Sequence, residues 1–497
     1  MKQLQCTSID RMIKPYITIL LLILSFTSCT TSEKEKLDSE ISNEIDNYLT
    51  RAMELHNIPG LALAVIEEDD VVCESYFGQA SLEDGSLVDD KTMFRIFSAT
   101  KLITTTGVFQ LIENGQLGLE DEISKYLSDL PDAWQQVKIK NLLSHSSGIP
   151  DIIRYESTLS DKELMEKLSM DKMQFQAGTQ FSYNQTNYWL LAQIIEQISG
   201  MVFEDYVLIN QFDNPKNGVL FSSNSLENIP NRATRYLYSG KNKKFVKGTN
   251  NNGRRGHSGN GLNITLNKFM EWDSKLKLNQ LLGEKAKSDM WSPFDFKQDF
   301  KYQKDNFLHG WHNYHVNGLD SYGFSGGNLA AYRIFPKSNT TIILLSNGSQ
   351  IEAYDIIVND VARMVIPELK TKDLTLEEDV MKLILDEQYD LALAGFQKLK
   401  EENPSSQFDN LKLNINGIGN SYSWNSEPEK AFKVFKMNAE ANPNWWIAVA
   451  GLAEMQEVKK DTIQALKNYQ WALLLNEKNE YDYNDVLKSK INQLKQQ

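Results

Sequence analysis

Two hairpin signals lie at opposite ends of a long stretch of this chain, and the need to pair them constrains the fold more than any other feature. Leu61 to Ile66 and Val71 to Phe77 are β-rich runs separated by the polar Glu67 to Asp70, the pattern of two antiparallel strands and their turn. Far downstream, Leu329 to Phe335 and Thr341 to Leu345 flank Pro336-Lys337-Ser338-Asn339, a second hairpin. Between the two pairs the sequence is mostly helical in period with long irregular loops. Strands from both ends are therefore expected in one antiparallel sheet with helices packed around it, an α+β arrangement.

Near residue 370 the pattern changes to helices alone. Setting Ala392, Ala431 and Ala465 in register aligns Phe396, Phe435 and Tyr469 four places later and Pro404 and Pro443 twelve places later, with Gly419 and Tyr422 ahead of Ala431. Small, aromatic and proline residues at these offsets resemble the tetratricopeptide repeat, in which alanines let paired helices approach and the proline ends the second helix. The later units are 34 residues apart, the first stands 39 residues before the second, and Glu477 takes the place of a third proline. Three such units suffice to bury a continuous core. Two roles remain open for them: a groove that docks a peptide or protein partner, and a helical buttress or dimer surface.

At the N-terminus, Lys2, Arg11 and Lys14 precede an apolar run from Ile17 to Phe26, followed by Thr27-Ser28-Cys29 and a polar stretch. Basic, apolar, then small residues is the layout of a signal peptide. The run is too short for a bilayer span, which needs about 20 residues. The small residues leading into Cys29 resemble a bacterial lipobox, which implies acylation of the Cys29 thiol and an exported chain anchored to a bacterial membrane, in the periplasm or at the cell surface. Phe26 stands where that pattern usually has Leu. With Cys6 removed along with the signal, Cys73 is left without a disulfide partner, and its setting in Val71-Val72-Cys73 reads as a buried, inert thiol.

The net charge of −14 argues against nucleic acid as a partner, because no basic stripe is available to displace counterions from a phosphate backbone. Lys241 to Lys247 with Arg254 and Arg255 is interrupted by Asn and Gly and reads as a solvated loop.

The chemistry-bearing segment is Phe94-Arg95-Ile96-Phe97-Ser98-Ala99-Thr100-Lys101, which opens an amphipathic helix continuing through Val108, Leu111 and Ile112 to Gly115. Residues three apart share a helix face, so the Lys101 amine can reach the Ser98 hydroxyl near the positive end of the helix dipole. Serine is a weak nucleophile and needs such a neighbour to take its proton. Alone the spacing is a weak signal; Ser274 and Lys277 satisfy it on what reads as a surface helix.

Several further blocks resemble the class C β-lactamase and penicillin-binding-protein superfamily, in that family's order. Gly115 to Asp121 and Leu142-Leu143-Ser144-His145-Ser146-Ser147-Gly148-Ile149-Pro150-Asp151 are similar to its linker blocks. Phe181-Ser182-Tyr183-Asn184-Gln185 is similar to its Tyr-x-Asn loop, and Gly259-Asn260-Gly261-Leu262 with Thr265 to its glycine turn. Gly310-Trp311 followed by Tyr322 to Gly327 resembles the approach to its third motif. The resemblance, over roughly residues 45 to 365, implies a β-lactamase/transpeptidase-like antiparallel sheet with a helical subdomain. It further implies that Ser98 attacks an acyl carbon, that Lys101 and Tyr183 share proton transfer, and that the N–H groups of Ser98 and Gly327 bind the oxyanion. His145 is structural in that family.

Two departures bear on substrate. Gln185 stands where the family has Asn, the same amide on a longer stem, and Phe324-Ser325-Gly326 stands where the third motif usually begins with Lys or His. Phe324 cannot hold the carboxylate that a β-lactam or a D-Ala-D-Ala peptide presents, which shifts the expectation toward an esterase or peptidase on an apolar, uncharged substrate. Arg254 and Arg255 are cations that nothing in the sequence places at this site. His309, His312 and His315 precede Asn317-Gly318, a hairpin signal. On a strand they alternate faces rather than converge, so no metal is expected, and no cofactor motif appears.

The reading is a lipoprotein signal over 1–28, a tether over 29–45, a β-lactamase-like serine hydrolase domain over 46–368 and a tetratricopeptide-like domain over 369–497. The hydrolase would act through an acyl-enzyme on an ester, amide or peptide, with Gln185, Phe324, Ser325, Gly326 and Gly327 lining the oxyanion and substrate site. The rival is a non-catalytic binding protein on the same fold, with the repeats docking a partner.

Overall fold

The computed structural model describes residues 39–239, 242–294, 307–316, 318–350, 354–370, 376–402, 404, 408–477, 479 and 483–496. The signal segment, Cys29 and most of the tether lie outside the described residues.

Both hairpins form and join one sheet. Strands β1 (Gly60–Glu67) and β2 (Asp70–Gly78) are followed by β3 (Met93–Arg95), β4 (Val219–Phe221), β5 (Tyr236–Ser239), β6 (Lys244–Lys247) and β7 (Leu262–Thr265), then by β8 (His312–Val316), β9 (Leu319–Gly326), β10 (Ala330–Phe335) and β11 (Thr340–Ser346). The main sheet has six strands in the order β2-β1-β11-β10-β9-β8, and its pairs are antiparallel. β11 pairs with β1 at Leu63↔Leu344, so the chain's two distant hairpins meet in the sheet's centre.

Alternation along these strands feeds two cores. Ala62, Ala64, Ile66, Tyr332, Ile334, Ile343 and Leu345 face the large helical region. Leu61, Leu63, Val65, Ala331, Phe335, Ile342 and Leu344 face the other way, against the helix 39–56 and the helix Tyr354–Val365. Burial on both faces is why β1 and β11 read as unbroken apolar runs. Cys73 lies in the second core, 2% exposed, with its thiol against Ser42 and Ser75; burial pushes it above its usual range.

The helix after Ser98 departs from expectation. Phe94 and Arg95 belong to β3, a 3-10 turn spans Phe97–Ala99, and the α-helix is Thr100–Glu113. It is not amphipathic: every residue from Thr100 to Phe109 is buried. Its threonines tolerate this because their hydroxyls are satisfied, Thr104 donating to the Ser258 carbonyl at 2.7 Å and Thr106 to Leu102 at 2.9 Å, which removes the penalty for burying a polar group. The basic stretch is not all loop: Lys244–Lys247 forms β6, paired with β5, and Arg254–Gly256 a 3-10 turn. β8 begins at His312, so His309 lies before the strand rather than on it. Gly310, at φ +78°, turns the chain between them, and His309 packs against Phe109 and Phe294 while His315 pairs with Asp320.

From Leu376 onward the described chain is helical: Leu376–Leu385, Tyr389–Glu402, Asp409–Trp424, Pro428–Ala441, Trp446–Val458, Thr462–Leu475 and Asn484–Lys495. Ala392, Ala431 and Ala465 are fully buried on the second helix of successive pairs. Close approach is real at Phe435, where a Cβ on Gly419 or Gly451 would lie 2.8 or 2.6 Å from its ring. The array meets the sheet domain where Gln350 donates to Glu427 at 2.8 Å, accepts at its carbonyl from Asn425, and where Ile356 joins the array's core.

Candidate active site

Ser98 stands half-buried in the 3-10 turn, directly ahead of the buried helix. Phe97 before it is held at φ +45°, a left-handed conformation unusual for a bulky residue. Strain of this kind costs of order 1–3 kcal/mol and persists only where the surroundings impose it. Here the surroundings are tight. A Cβ on Gly327 would lie 2.6 Å from the Phe97 ring, and one on Gly326 would lie 1.9 Å from the Ile96 carbonyl and 2.9 Å from the Ala99 nitrogen. The end of β9 therefore rests against the turn that carries Ser98, and only glycines permit it.

Lys101 is fully buried. Its Nζ donates to the Gly259 carbonyl at 2.8 Å and to Gln185 Oε1 at 3.2 Å, and it lies over the rings of Tyr183 and Tyr188 at 4.8 and 5.0 Å. Among the described residues no carboxylate is in contact to compensate its charge, and burial pulls the amine down to about 7, with Asp151 acting in the other direction. The neutral amine is therefore within reach near neutral pH. Gly259 leaves room for the Lys101–Gln185 contact, since a Cβ there would meet Gln185 Oε1 at 2.6 Å.

The Tyr183 phenol lies beside the Ser98 and Gln185 side chains, which favour its ionised form against the cost of burial. Although 39% of the residue is exposed, its hydroxyl end is enclosed, and burial pushes the phenol well above its usual range. Gln185 thus accepts from Lys101 beside Tyr183, and its longer stem still reaches the amine. It begins the helix Gln185–Ser199, capped by Asn184, whose side chain accepts from the Thr186 N–H at 2.7 Å. Asp151 accepts from the Gln185 N–H at 3.2 Å.

His145, wholly buried at φ +54°, accepts at Nδ1 from the Asn184 N–H at 3.1 Å, and its ring lies 4.4 Å from that of Tyr183. Burial, then the Lys101 charge, holds it neutral, well below its usual range. It positions the Tyr183 loop. Phe324 stacks on Tyr183 at 6.4 Å and meets Phe307 at 6.0 Å, so the wall beyond the serine is aromatic. Ser325 points to the opposite side of β9 and accepts from Arg333 Nη2 at 2.8 Å; Arg333 is also bound by Asp355. β8 stops at His312↔Gly323, so among the described residues the β9 edge at Phe324 to Gly327 pairs with no strand on the side away from β10.

Ser98, Lys101, Tyr183, Gln185, Phe324, Gly326 and Gly327 are thus brought together, while the Ser325 side chain is turned away. Arg254 is engaged by Glu196 and Glu204, and Arg255 by Asp161. Ser274 and Lys277 form no comparable pair, since Lys277 is held 3.6 Å from Asp273. The sequence reading missed the Gly259 carbonyl, Asp151 and Phe307. The first two lie inside blocks it had quoted, and nothing near Phe307 marks it.

The Beta-lactamase family profile matches residues 45–363. A penicillin-binding protein of Bacillus subtilis is 30% identical over 168 residues, covering 32% of this chain and 37% of that protein. Protein flp of Staphylococcus aureus is 24% identical over 181 residues, 35% of this chain and 36% of the other. The chain spans less than half the length of these relatives. Among solved structures, the octameric penicillin-binding protein homologue from Pyrococcus abyssi superposes with a TM-score of 0.57 at 21% identity, over 68% of this chain and 81% of that one. EstCE1, a hydrolase with promiscuous acyltransferase activity, gives 0.56 at 16% identity, over 65% and 99%. D-amino acid amidase from Ochrobactrum anthropi gives 0.53 at 19%, over 65% and 98%. These structural likenesses establish the fold.

Proposed function

Because the chain belongs to the beta-lactamase family, we propose that it is a serine hydrolase forming an acyl-enzyme at Ser98, on an ester, amide or peptide that carries no carboxylate at the Phe324 wall. The observation that carries this reading is the buried Lys101 amine, three residues after Ser98, donating to the Gly259 carbonyl and Gln185 and lying 4.8 Å over the Tyr183 ring, with burial pulling it down to about 7.

The two candidates for general base are in different states at neutral pH. Tyr183 keeps its proton, whereas Lys101 is partly free of it, so Lys101 is the base and Tyr183 relays the proton from Ser98. The acyl carbon is then attacked by the serine oxygen, and the proton passes on to the leaving group. The Gly327 N–H donates to no protein group among the described residues and, with the Ser98 N–H, would take the developing oxyanion. Such a donor is worth about 3 to 4 kcal/mol. The β9 edge at Phe324 to Gly327 offers backbone groups to an extended substrate.

The test is mass spectrometry after exposure to a fluorophosphonate and, separately, to a penicillin. Fluorophosphonate mass on Ser98 with poor penicillin labelling supports the reading, and equal labelling would remove the inference drawn from Phe324. The labelling rate should rise with pH through about 7 and level off above it, because the Lys101 pKa is depressed and its neutral form is the active one. A rate that is flat between pH 6 and pH 8 would exclude Lys101 as the base. Phe324→Lys should raise penicillin acylation by about 10- to 150-fold relative to fluorophosphonate, the effect of one charge-assisted hydrogen bond.

Export and lipid attachment at Cys29 form part of the same proposal, supported by the signal pattern alone; a diacylglyceryl mass on the N-terminal peptide would register it. The helices from Leu376 onward are proposed as tetratricopeptide-like, on the buried alanine register.

A further inference from the structure

Beyond the reacting centre, and resting on the serine-hydrolase reading above, we propose that the helical array completes the substrate cleft: Arg235 and Trp424 form a subsite for an anionic group carried by the substrate. The cleft is a cavity of about 260 Å³ between the two parts of the chain, lined among others by Arg235, Tyr238, Gly327, Asn328, Gln350 and Trp424. It reaches Gly327, the proposed oxyanion donor, which packs on Phe97, the residue next to Ser98.

Arg235 has no acid partner among the described residues, and its Nε is buried without a hydrogen bond. Its guanidinium lies 5.1 Å over the Phe97 ring. The neighbouring cations are all engaged. Arg95 donates to the Asn260 carbonyl and side chain at 2.9 and 2.7 Å and to Ser223 and Asn250 at 3.1 Å. Arg232 donates to the Asn224 carbonyl at 3.0 Å, and Lys247 pairs with Glu83 at 3.4 Å. Arg95, Arg232, Arg235 and Lys247 share a second cavity of about 250 Å³ on the far side of Arg235. Burial and the adjacent arginine charges depress Arg95 to about 9, so this wall carries positive charge that an anion would relieve. A guanidinium with unused donors is matched by a carboxylate in two parallel bonds.

Trp424 supplies the other half. It ends the helix Asp409–Trp424 with 71% of its surface exposed and lines the cavity, and an indole face in a concave wall suits an apolar or ring-shaped neighbour of the charge. The carboxylate that the Phe324 position cannot hold would thus be carried on another part of the substrate and read by Arg235.

The test uses the full chain and nitrophenyl esters in matched pairs, one member with a terminal carboxylate and the other with the carboxamide, the group being placed on the acyl chain in one pair and on the leaving phenol in the other. One placement should show a carboxylate preference of about 10- to 150-fold in kcat/KM, expressed in KM. R235Q should erase it, R235K should restore part of it, and W424A should raise KM for both members. No preference in either pair, or one that survives R235Q, overturns the proposal; a KM unmoved by W424A overturns the part played by the array. Fluorophosphonate labelling of the same variants reports on Ser98 itself. If Ser98 proves unreactive, calorimetry on S98A with the non-hydrolysable amide analogues still decides. Tighter binding of the carboxylate that S98A/R235Q loses supports the subsite, and equal binding of the two members removes it.

Discussion

Replacing Ser98 with Ala is expected to reduce acylation and turnover to background, a fall on the order of 10⁶-fold if the residues act as one unit. Lys101→Met should come close to the same loss. The methionine fills the buried volume without a proton acceptor, and among the described residues the amine it replaces is held by two oxygen acceptors, Gly259 and Gln185. Because nucleophile and base serve a single proton transfer, the double variant should be little worse than either alone; additive losses would mean that Lys101 acts in some other way. The rival reading, a binding protein on this fold, predicts that S98A leaves every measurable property of the chain unchanged. Measuring the pseudo-first-order rate of fluorophosphonate incorporation in the four proteins separates these cases. The Met variant also has a stability signature. A lysine whose pKa falls from 10.5 to about 7 on folding binds fewer protons folded than unfolded, so it costs stability below pH 10.5 and most of all at or below pH 7. Lys101→Met should therefore match or exceed the wild type in Tm at neutral pH while losing activity, so inactivity through misfolding would be visible.

What could be read from the sequence follows from what local patterns encode. β1, β2, β10 and β11 were legible because doubly buried strands leave apolar runs bounded by turn residues, and the distance between the hairpins forced one sheet. The helix after Ser98 misled, since Thr104, Thr105 and Thr106 look like a polar face. Their hydroxyls are satisfied by Ser258, by Tyr188 and by the helix itself, contacts that no periodicity reveals. In the candidate site, Ser98 and Lys101 were found by their spacing, and Tyr183 by the resemblance of its block to the family's Tyr-x-Asn loop. Gln185 had looked like a displaced amide, and its place beside Lys101 and Tyr183 depends on where helix Gln185–Ser199 meets the Gly259 turn. Arg235 was invisible for a related reason: a lone arginine in Ala233-Thr234-Arg235-Tyr236 carries no signal until its lack of an acid partner and its place beside Phe97 are known.

Gly326→Ala is expected to lower kcat by about 100- to 1000-fold, with a smaller change in KM, and to cost about 1–3 kcal/mol in stability. The added Cβ would sit 1.9 Å from the Ile96 carbonyl and 2.9 Å from the Ala99 nitrogen, both backbone atoms, so no side-chain rotation can relieve it. β9 cannot simply retreat, because Gly326 is held opposite Ala330 and the whole β9–β10 ladder continues to Ile334↔Tyr322. The Ser98 turn must give instead, and a displacement of about 1 Å between Ser98 and the Gly327 N–H is enough to cost on the order of a hundredfold. Two other glycines calibrate the effect. Gly259→Ala would meet the far end of the Gln185 side chain at 2.6 Å, which can move, so its consequence should be a changed pH profile through the loosened Lys101 contact. Gly115→Ala has nothing within 4 Å but sits at φ +69°, and should cost about 1 kcal/mol in backbone strain with kcat intact. Steady-state kinetics and thermal melts on the three variants separate the contributions. If G326A kept full kcat, the close contact between β9 and the nucleophile turn would have no part in catalysis, and the oxyanion assignment to Gly327 would have to be withdrawn.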